Sequence, residues 1–171
     1  SQDLEKAGVH VVYGVVDLKT HAKVSLVVRR EGKKLNTYVH FGTGNYHPTT
    51  AKIYTDLSLF TCNIDYALDA SRFFNMVTGH NDTENWSLIE AAPKGLRKKL
   101  LRLIDEEIIN AKAGKPSGIW LKCNAIVDPT IINALYKASA SGVKIDLIVR
   151  GVCCLKPGVP NLSENIRVKS I

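Results

Sequence analysis

The 171-residue sequence has no long apolar run, and its longest stretches are short and broken by charge, as where Arg29 follows Val24–Val28. A membrane-spanning helix needs about 20 consecutive apolar residues, so the sequence predicts no transmembrane segment. The opening residues, Ser1–Lys6, lack the apolar centre of a secretory signal peptide.

Cysteine is also scarce, with no Cys-x-x-Cys spacing among Cys62, Cys123, Cys153 and Cys154. This pattern argues against a zinc site and against a disulfide framework. Buried free thiols in a reducing compartment are the better interpretation, and they favour the cytoplasm. A chain of this length can bury a core without either kind of cross-link.

Acidic residues are fewer than basic ones: the sequence has 16 aspartates and glutamates but 23 lysines and arginines, so its net charge is +7. A basic balance favours a polyanionic partner such as nucleic acid, a nucleotide or polyphosphate. A merely solubilising surface is the alternative that composition leaves open.

The first half of the chain contains a predicted hairpin. Val9–Tyr13 and Lys19–Val28 have the pattern of strands, a polar turn around Gly32 follows, and Leu35–Phe41 is the predicted partner strand. Side chains alternate between the faces of a strand, so His21 and Lys23 share one face. The turn position places His21 opposite the loop of Gly42, Thr43, Gly44 and Asn45, called the glycine loop below.

The second half contains a predicted strand–helix–strand unit. A polar stretch, Gly79–Asn85, is the predicted domain junction, and an amphipathic helix follows it up to Gly114. Two strands, Ile119–Asn124 and Val143–Val149, then flank a helix with Asp128 as its N-cap. Such a unit is a parallel crossover, and ligands bind where its strands end, so Asn124 and Arg150 are candidate ligand contacts.

The spacing His21-Ala22-Lys23 suits phosphoryl transfer. An imidazole nitrogen can attack phosphorus, provided that a cation offsets the phosphate charge. The glycine loop offers backbone N–H groups to an anion, and Asn45 can add a donor or orient the histidine. Each signal alone has an ordinary structural alternative: a surface histidine, a simple turn, a packed ring at Tyr54, a surface arginine at Arg150.

Together these motifs resemble bacterial polyphosphate kinases of the histidine-phosphorylated type. The similarity extends over essentially the whole chain, through Lys19–Lys23, Tyr38–Tyr46, Ile53–Asp56, Leu121–Asn124, Val127-Asp128, Leu147–Cys153 and Ser163–Arg167.

The resemblance implies an α/β fold of the phospholipase D-like type, with mixed sheets flanked by helices in two partial domains. Residues 1–88 would be the C-terminal part of the first catalytic domain, and residues 89–171 the N-terminal part of the second. The chain is therefore expected to be a central fragment of a longer enzyme. The family's magnesium-binding arginines would precede Ser1, and a second active-site histidine would follow Ile171.

The resemblance also implies the chemistry. The family transfers the γ-phosphate of ATP reversibly to polyphosphate, with Mg²⁺ as cofactor. His21 matches the phosphorylated histidine, and Lys23 matches the lysine expected to neutralise the transferred phosphate. Tyr54 and Arg150 match ATP contacts, while the glycine loop and Asn124 remain candidate phosphate or orienting contacts. ATP, ADP and polyphosphate are the expected partners, with no nucleic acid.

One position separates this sequence from phospholipase D-type phosphodiesterases, which carry an aspartate where Val28 stands here. A diesterase or nuclease is therefore the second hypothesis, and a non-catalytic polyanion-binding module is the third. The full-length enzyme is expected to form a homo-oligomer in the cytoplasm, with membrane association left open. The isolated fragment is expected to bind polyphosphate weakly and to show no turnover.

Overall fold

A computed structural model describes residues 2–14, 17–79 and 85–171. The chain divides into two compact units, residues 1–90 and 91–171. The predicted junction, Gly79–Asn85, falls mostly on residues 80–84, which lie outside the described ranges.

The first unit contains a three-stranded antiparallel sheet in the order β1-β2-β3 and one long helix. Its elements are α1 (Gln2–Lys6), β1 (Val24–Glu31), β2 (Lys34–Gly42), α2 (Pro48–Ala51), β3 (Ser58–Thr61) and α3 (Ile64–Val77). The predicted hairpin is confirmed, because β1 and β2 pair from Val24 opposite Phe41 to Glu31 opposite Lys34. Gly32 takes the left-handed conformation, φ +61°, that this tight turn requires.

Two strand predictions in this unit were wrong in extent. Val9–Tyr13 contains no strand, and β1 begins at Val24 rather than at Lys19. An apolar run becomes a strand only where a neighbour supplies backbone hydrogen bonds and a surface to pack against. Val9 and Tyr13 are instead 48% and 79% exposed, and β2, the partner of β1, ends at Gly42.

The core of the first unit lies between the sheet and α3. Val39, Ala67 and Ala70 are buried there, and Val24, Leu26 and Phe41 pack against them. Asn63 caps α3 by accepting hydrogen bonds from the N–H groups of Asp65 and Tyr66. One side of the β1–β2 hairpin therefore supports the fold, and the other carries the polar residues.

A buried carboxylate holds the end of this unit in place. Asp69 is completely buried and accepts hydrogen bonds from the backbone N–H groups of Ser87, Leu88 and Ile89 at 2.7–3.1 Å. Arg72 donates to it at 3.0 Å. Burial alone would raise the pKa of Asp69, but these hydrogen bonds outweigh burial and lower the pKa below its usual value.

We expect Asp69→Asn to lower the free energy of unfolding by about 2–3 kcal/mol at pH 7, because the amide leaves buried N–H groups without an acceptor. Since the folded-state pKa is lowered, the carboxylate stabilises the fold above its unfolded-state pKa of about 4 and loses this effect as the pH falls through the folded value. Urea unfolding at pH 7 and pH 2 measures this. The exposed Asp105, mutated to Asn, is the control, and an equal loss at both pH values would contradict the prediction.

The second unit is a three-stranded parallel sheet in the order β4-β5-β6, packed on two helices. Its elements are α4 (Leu96–Lys112), β4 (Gly118–Cys123), α5 (Pro129–Ala140), β5 (Lys144–Val149) and β6 (Ile166–Lys169). The predicted parallel crossover is confirmed, and Asp128 caps α5 by accepting from Thr130 and Ile131. The buried side chains Leu135, Ile145 and Leu147 form the centre of its core.

No helix within residues 2–14, 17–79 and 85–171 is both long and apolar enough to cross a membrane.

Candidate active site

His21 and Lys23 are in direct contact. The Lys23 ammonium lies 2.8 Å from His21 Nε2 and also donates to the His21 carbonyl oxygen at 3.2 Å. Lys23 is only 9% exposed. An ammonium group has donors but no acceptor, so in this arrangement Nε2 is the accepting nitrogen and a neutral imidazole carries its proton on Nδ1.

The backbone places this pair beside the glycine loop. The N–H of Gly42 donates to the carbonyl of Lys23 at 2.9 Å, which extends the β1–β2 pairing one residue beyond Val24 and Phe41. The glycine loop thus begins opposite Lys23. The sequence placed His21 opposite this loop, whereas the backbone hydrogen bond to the loop is made by Lys23, two residues later.

Side chains of neighbouring residues lie close to Gly42 and Gly44, where a larger residue would place its Cβ atom. A Cβ atom at Gly42 would lie 3.0 Å from the His40 ring, and one at Gly44 would overlap the carboxyl group of Asp56. Neither glycine has a positive φ. A side chain at position 44 would therefore require Asp56 to move, and one at position 42 would make a tight contact with His40, but neither glycine is required by an unusual backbone conformation.

His40 lies close to the glycine loop, although it is not among the candidate residues named from the sequence. It lies opposite Ser25 in the hairpin register, and its Nδ1 is 2.7 Å from the hydroxyl of Tyr46, to which Ser25 also donates at 3.0 Å. Its ring stacks on Phe60 at 4.3 Å, and its buried Nε2 has no hydrogen-bond partner in the described part of the chain. The predicted turn at Gly32 implies this register, so the position of His40 opposite Ser25 could have been predicted from the sequence.

Tyr54 lies in the same unit, between α2 and β3, and its side chain is 51% exposed. The helix before Tyr54 is α2. His47 is its N-cap, and the His47 side chain accepts a hydrogen bond from the N–H of Thr50. Tyr54 comes two residues before Asp56, which is bonded to the glycine loop.

Asn124 and Arg150 meet in the second unit, at the carboxyl ends of β4 and β5. Arg150 Nε donates to Asn124 Oδ1 at 2.7 Å, and the N–H of Arg150 donates to the carbonyl of Cys123 at 3.3 Å. A Cβ at Gly151 would lie 2.8 Å from the Asn124 carbonyl oxygen, so only glycine allows this close approach. The sequence prediction that both residues stand at one sheet edge is borne out by this contact.

Within the described residues, no cluster of three or more His, Cys, Asp or Glu side chains is arranged to hold a metal ion.

Comparison with known proteins identifies the family. Residues 1–83 match the family model for polyphosphate kinase C-terminal domain 1, and residues 89–171 match that for C-terminal domain 2. The chain is 56% identical over 168 residues to the polyphosphate kinase of Erythrobacter litoralis, covering 98% of this chain and 24% of the relative. It is 52% identical to that of Thermosynechococcus vestitus, over 100% of this chain and 23% of the relative.

A solved structure agrees with these matches. The crystal structure of polyphosphate kinase from Porphyromonas gingivalis superposes with a TM-score of 0.86 at 38% identity, covering 99% of this chain and 28% of that one. The predicted α/β fold class is thereby confirmed. The chain spans about a quarter of the length of the relatives it matches, and it belongs to the polyphosphate kinase family.

Proposed function

We propose that this chain forms part of the catalytic region of an ATP–polyphosphate phosphotransferase, with His21 as the residue that carries the phosphoryl group. The observation that supports this most directly is the contact of His21 Nε2 with the Lys23 ammonium, 2.8 Å away. This contact supports the proposal because phosphoryl transfer requires a protein to position the reacting groups and to stabilise charge.

In the proposed reaction, His21 Nε2 attacks the γ-phosphorus of ATP. A P–N bond forms, the bond from phosphorus to the β–γ bridging oxygen breaks, and ADP leaves with that electron pair. A terminal oxygen of polyphosphate then attacks the phosphohistidine, the P–N bond breaks, and the imidazole regains its lone pair. Lys23 must release Nε2 before attack, and its ammonium then pairs with the transferred phosphoryl oxygens.

The remaining residues are assigned to substrate binding in this proposal. Tyr54 and Arg150 contact ATP, and Asn124 orients Arg150. The N–H groups of Gly42 and Thr43 are bonded within the fold, so the glycine loop donates to phosphate through the N–H groups of Gly44 and Asn45. Residues 1–88 and 89–171 are assigned to parts of two successive catalytic domains. Mg²⁺, whose ligands would come from outside this chain, supplies charge neutralisation on the nucleotide, and a cytoplasmic homo-oligomer is the proposed setting.

The test uses a chimera in which this chain replaces the matched segment of the Erythrobacter litoralis kinase. Incubation with γ-labelled ATP should give a protein-bound label that is labile in acid and stable in base, as a phosphoramidate is. Release of nitrophenol from bis(nitrophenyl) phosphate, without labelling from ATP, would instead identify a diesterase. Polyphosphate binding with neither reaction would identify a non-catalytic polyanion-binding module.

Arg150→Lys in this chimera should raise the KM for ATP by about tenfold or more, because an ammonium cannot reproduce the forked bonds of a guanidinium to phosphate. Asn124→Leu should act in the same direction but more weakly, since it leaves the charge and removes only the acceptor that holds Nε. Steady-state kinetics with ATP measure both, and Arg102→Lys on the exposed face of α4 is the control. Unchanged ATP kinetics in Arg150→Lys would remove this residue from the site.

A further inference from the structure

Asp56 is bound to the glycine loop by a compact set of contacts. The Thr43 hydroxyl donates to Asp56 Oδ1 at 2.8 Å and accepts from the N–H of Leu57 at 3.0 Å. The N–H of Thr43 donates to the carbonyl of Leu57 at 3.0 Å. Thr43 therefore uses its backbone and its side chain together to join the loop to residues 56–57.

Gly44 is the second residue of the glycine loop that lies against Asp56. A Cβ atom there would lie 2.3 Å from Asp56 Oδ2 and 2.6 Å from Asp56 Cγ, both closer than atoms of a packed side chain approach, and 3.0 Å from Asp56 Cβ. Gly44 has an ordinary φ, so its backbone would accept alanine. What glycine supplies at this position is room for the Asp56 carboxyl group.

We propose that Asp56 is a positioning residue, which fixes the shape of the glycine loop and its place relative to Tyr54, two residues earlier in the chain. The inference rests on the proposed function, because it assumes that the loop binds phosphate groups of ATP. The carboxylate acts as a hydrogen-bond acceptor for Thr43 and as a steric stop against Gly44. It takes no part in proton transfer or metal binding.

If Asp56 only positions the loop, its negative charge is not required. An asparagine at position 56 keeps an oxygen that can accept from the Thr43 hydroxyl, whereas alanine removes it. A carboxylate that acted as a base would lose that function in both variants. The comparison of Asp56→Asn with Asp56→Ala therefore separates positioning from proton transfer.

The N–H groups of Gly44 and Asn45, in the part of the loop that Asp56 positions, would contact phosphate both in bound ATP and in the transition state. Loss of such uniform binding raises KM and leaves kcat almost unchanged. In the chimera we expect Asp56→Ala to raise the KM for ATP about five- to tenfold, as for a lost hydrogen bond that orders a binding loop. Asp56→Asn should stay within about twofold of the parent.

Two further variants test the geometry. Thr43→Val should raise KM as Asp56→Ala does, and the double variant should be no worse than either alone, because the two residues form one interaction. Gly44→Ala should raise KM by displacing Asp56, and adding Asp56→Ala should restore part of the loss by removing the overlap. Asp105→Ala, on the exposed side of α4, is the matched control.

The proposal is overturned if Asp56→Asn is as impaired as Asp56→Ala, if Asp56→Ala has parental ATP kinetics, or if the effects of Thr43→Val and Asp56→Ala multiply. The same assays include His21→Ala. If His21→Ala is inactive while Asp56→Ala is unaffected, the positioning role fails and the proposed function stands. If His21→Ala keeps full activity, the proposed function fails first.

Discussion

His21→Ala should abolish both the protein-bound label and polyphosphate synthesis in the chimera. The substitution removes the nitrogen proposed to accept the phosphoryl group, which is the nitrogen that the Lys23 ammonium contacts. The uncatalysed reaction is slower by many orders of magnitude, so the expected residual rate is at background.

The matched control is His10→Ala, since His10 is an exposed histidine near the start of the chain. It should label and polymerise at the parental rate. Acid-labile labelling of His21→Ala at the parental rate would show that another residue is phosphorylated. Loss of labelling with the melting temperature unchanged would confirm that the defect lies in the chemistry and not in folding.

Lys23→Met should lower the rate of phosphoenzyme formation by about 100-fold or more, because a buried cation beside the transferred group stabilises charge that develops in the transition state. Methionine keeps much of the length and apolar volume of the lysine stem, which suits a residue that is only 9% exposed. Rapid mixing with labelled ATP and acid-free quenching would measure the rate of the first turnover directly.

Lys33→Met, in the exposed hairpin turn, is the control for removal of a positive charge. It separates a local effect at His21 from a change in the long-range attraction of ATP, which salt would screen. If Lys23→Met is phosphorylated at a rate within threefold of the parent, the Lys23 ammonium does not stabilise the transition state.

Much of the fold was predictable because local chemistry and tertiary packing agree. Gly32 at the turn fixed the register of β1 and β2, and the Asp128-Pro129 pair marked the start of α5. The strand predicted at 143–149, between Gly142 and Arg150, is β5, in which the alternate side chains Ile145, Leu147 and Val149 are buried. Each of these signals lies within a few residues of the strand, turn or helix that it specifies. Such elements can therefore be predicted without knowing which distant residues pack against them.

The misplaced strands show the limit of that reasoning. Val9–Tyr13 has the composition of a strand, but strand formation depends on a neighbour that is distant in sequence, and composition does not show whether one is available. The beginning of β1 is likewise set by the end of β2 at Gly42.

The sequence by itself determined the sheet edge shared by Asn124 and Arg150 and the motifs that identify the family. It did not determine the surroundings of His21 and Lys23, because β1 begins at Val24 and the alternation of a strand does not apply to them. Tertiary structure decided which groups touch: Lys23 on His21 Nε2, Asp56 against Gly44, His40 over Gly42, and Asp69 on the N–H groups of residues 87–89. Each of these contacts joins an atom to a partner whose distance and direction depend on side-chain rotamers and on the packing of separate elements. Spacing along the chain gives the faces and the ends of strands, but it cannot give those distances.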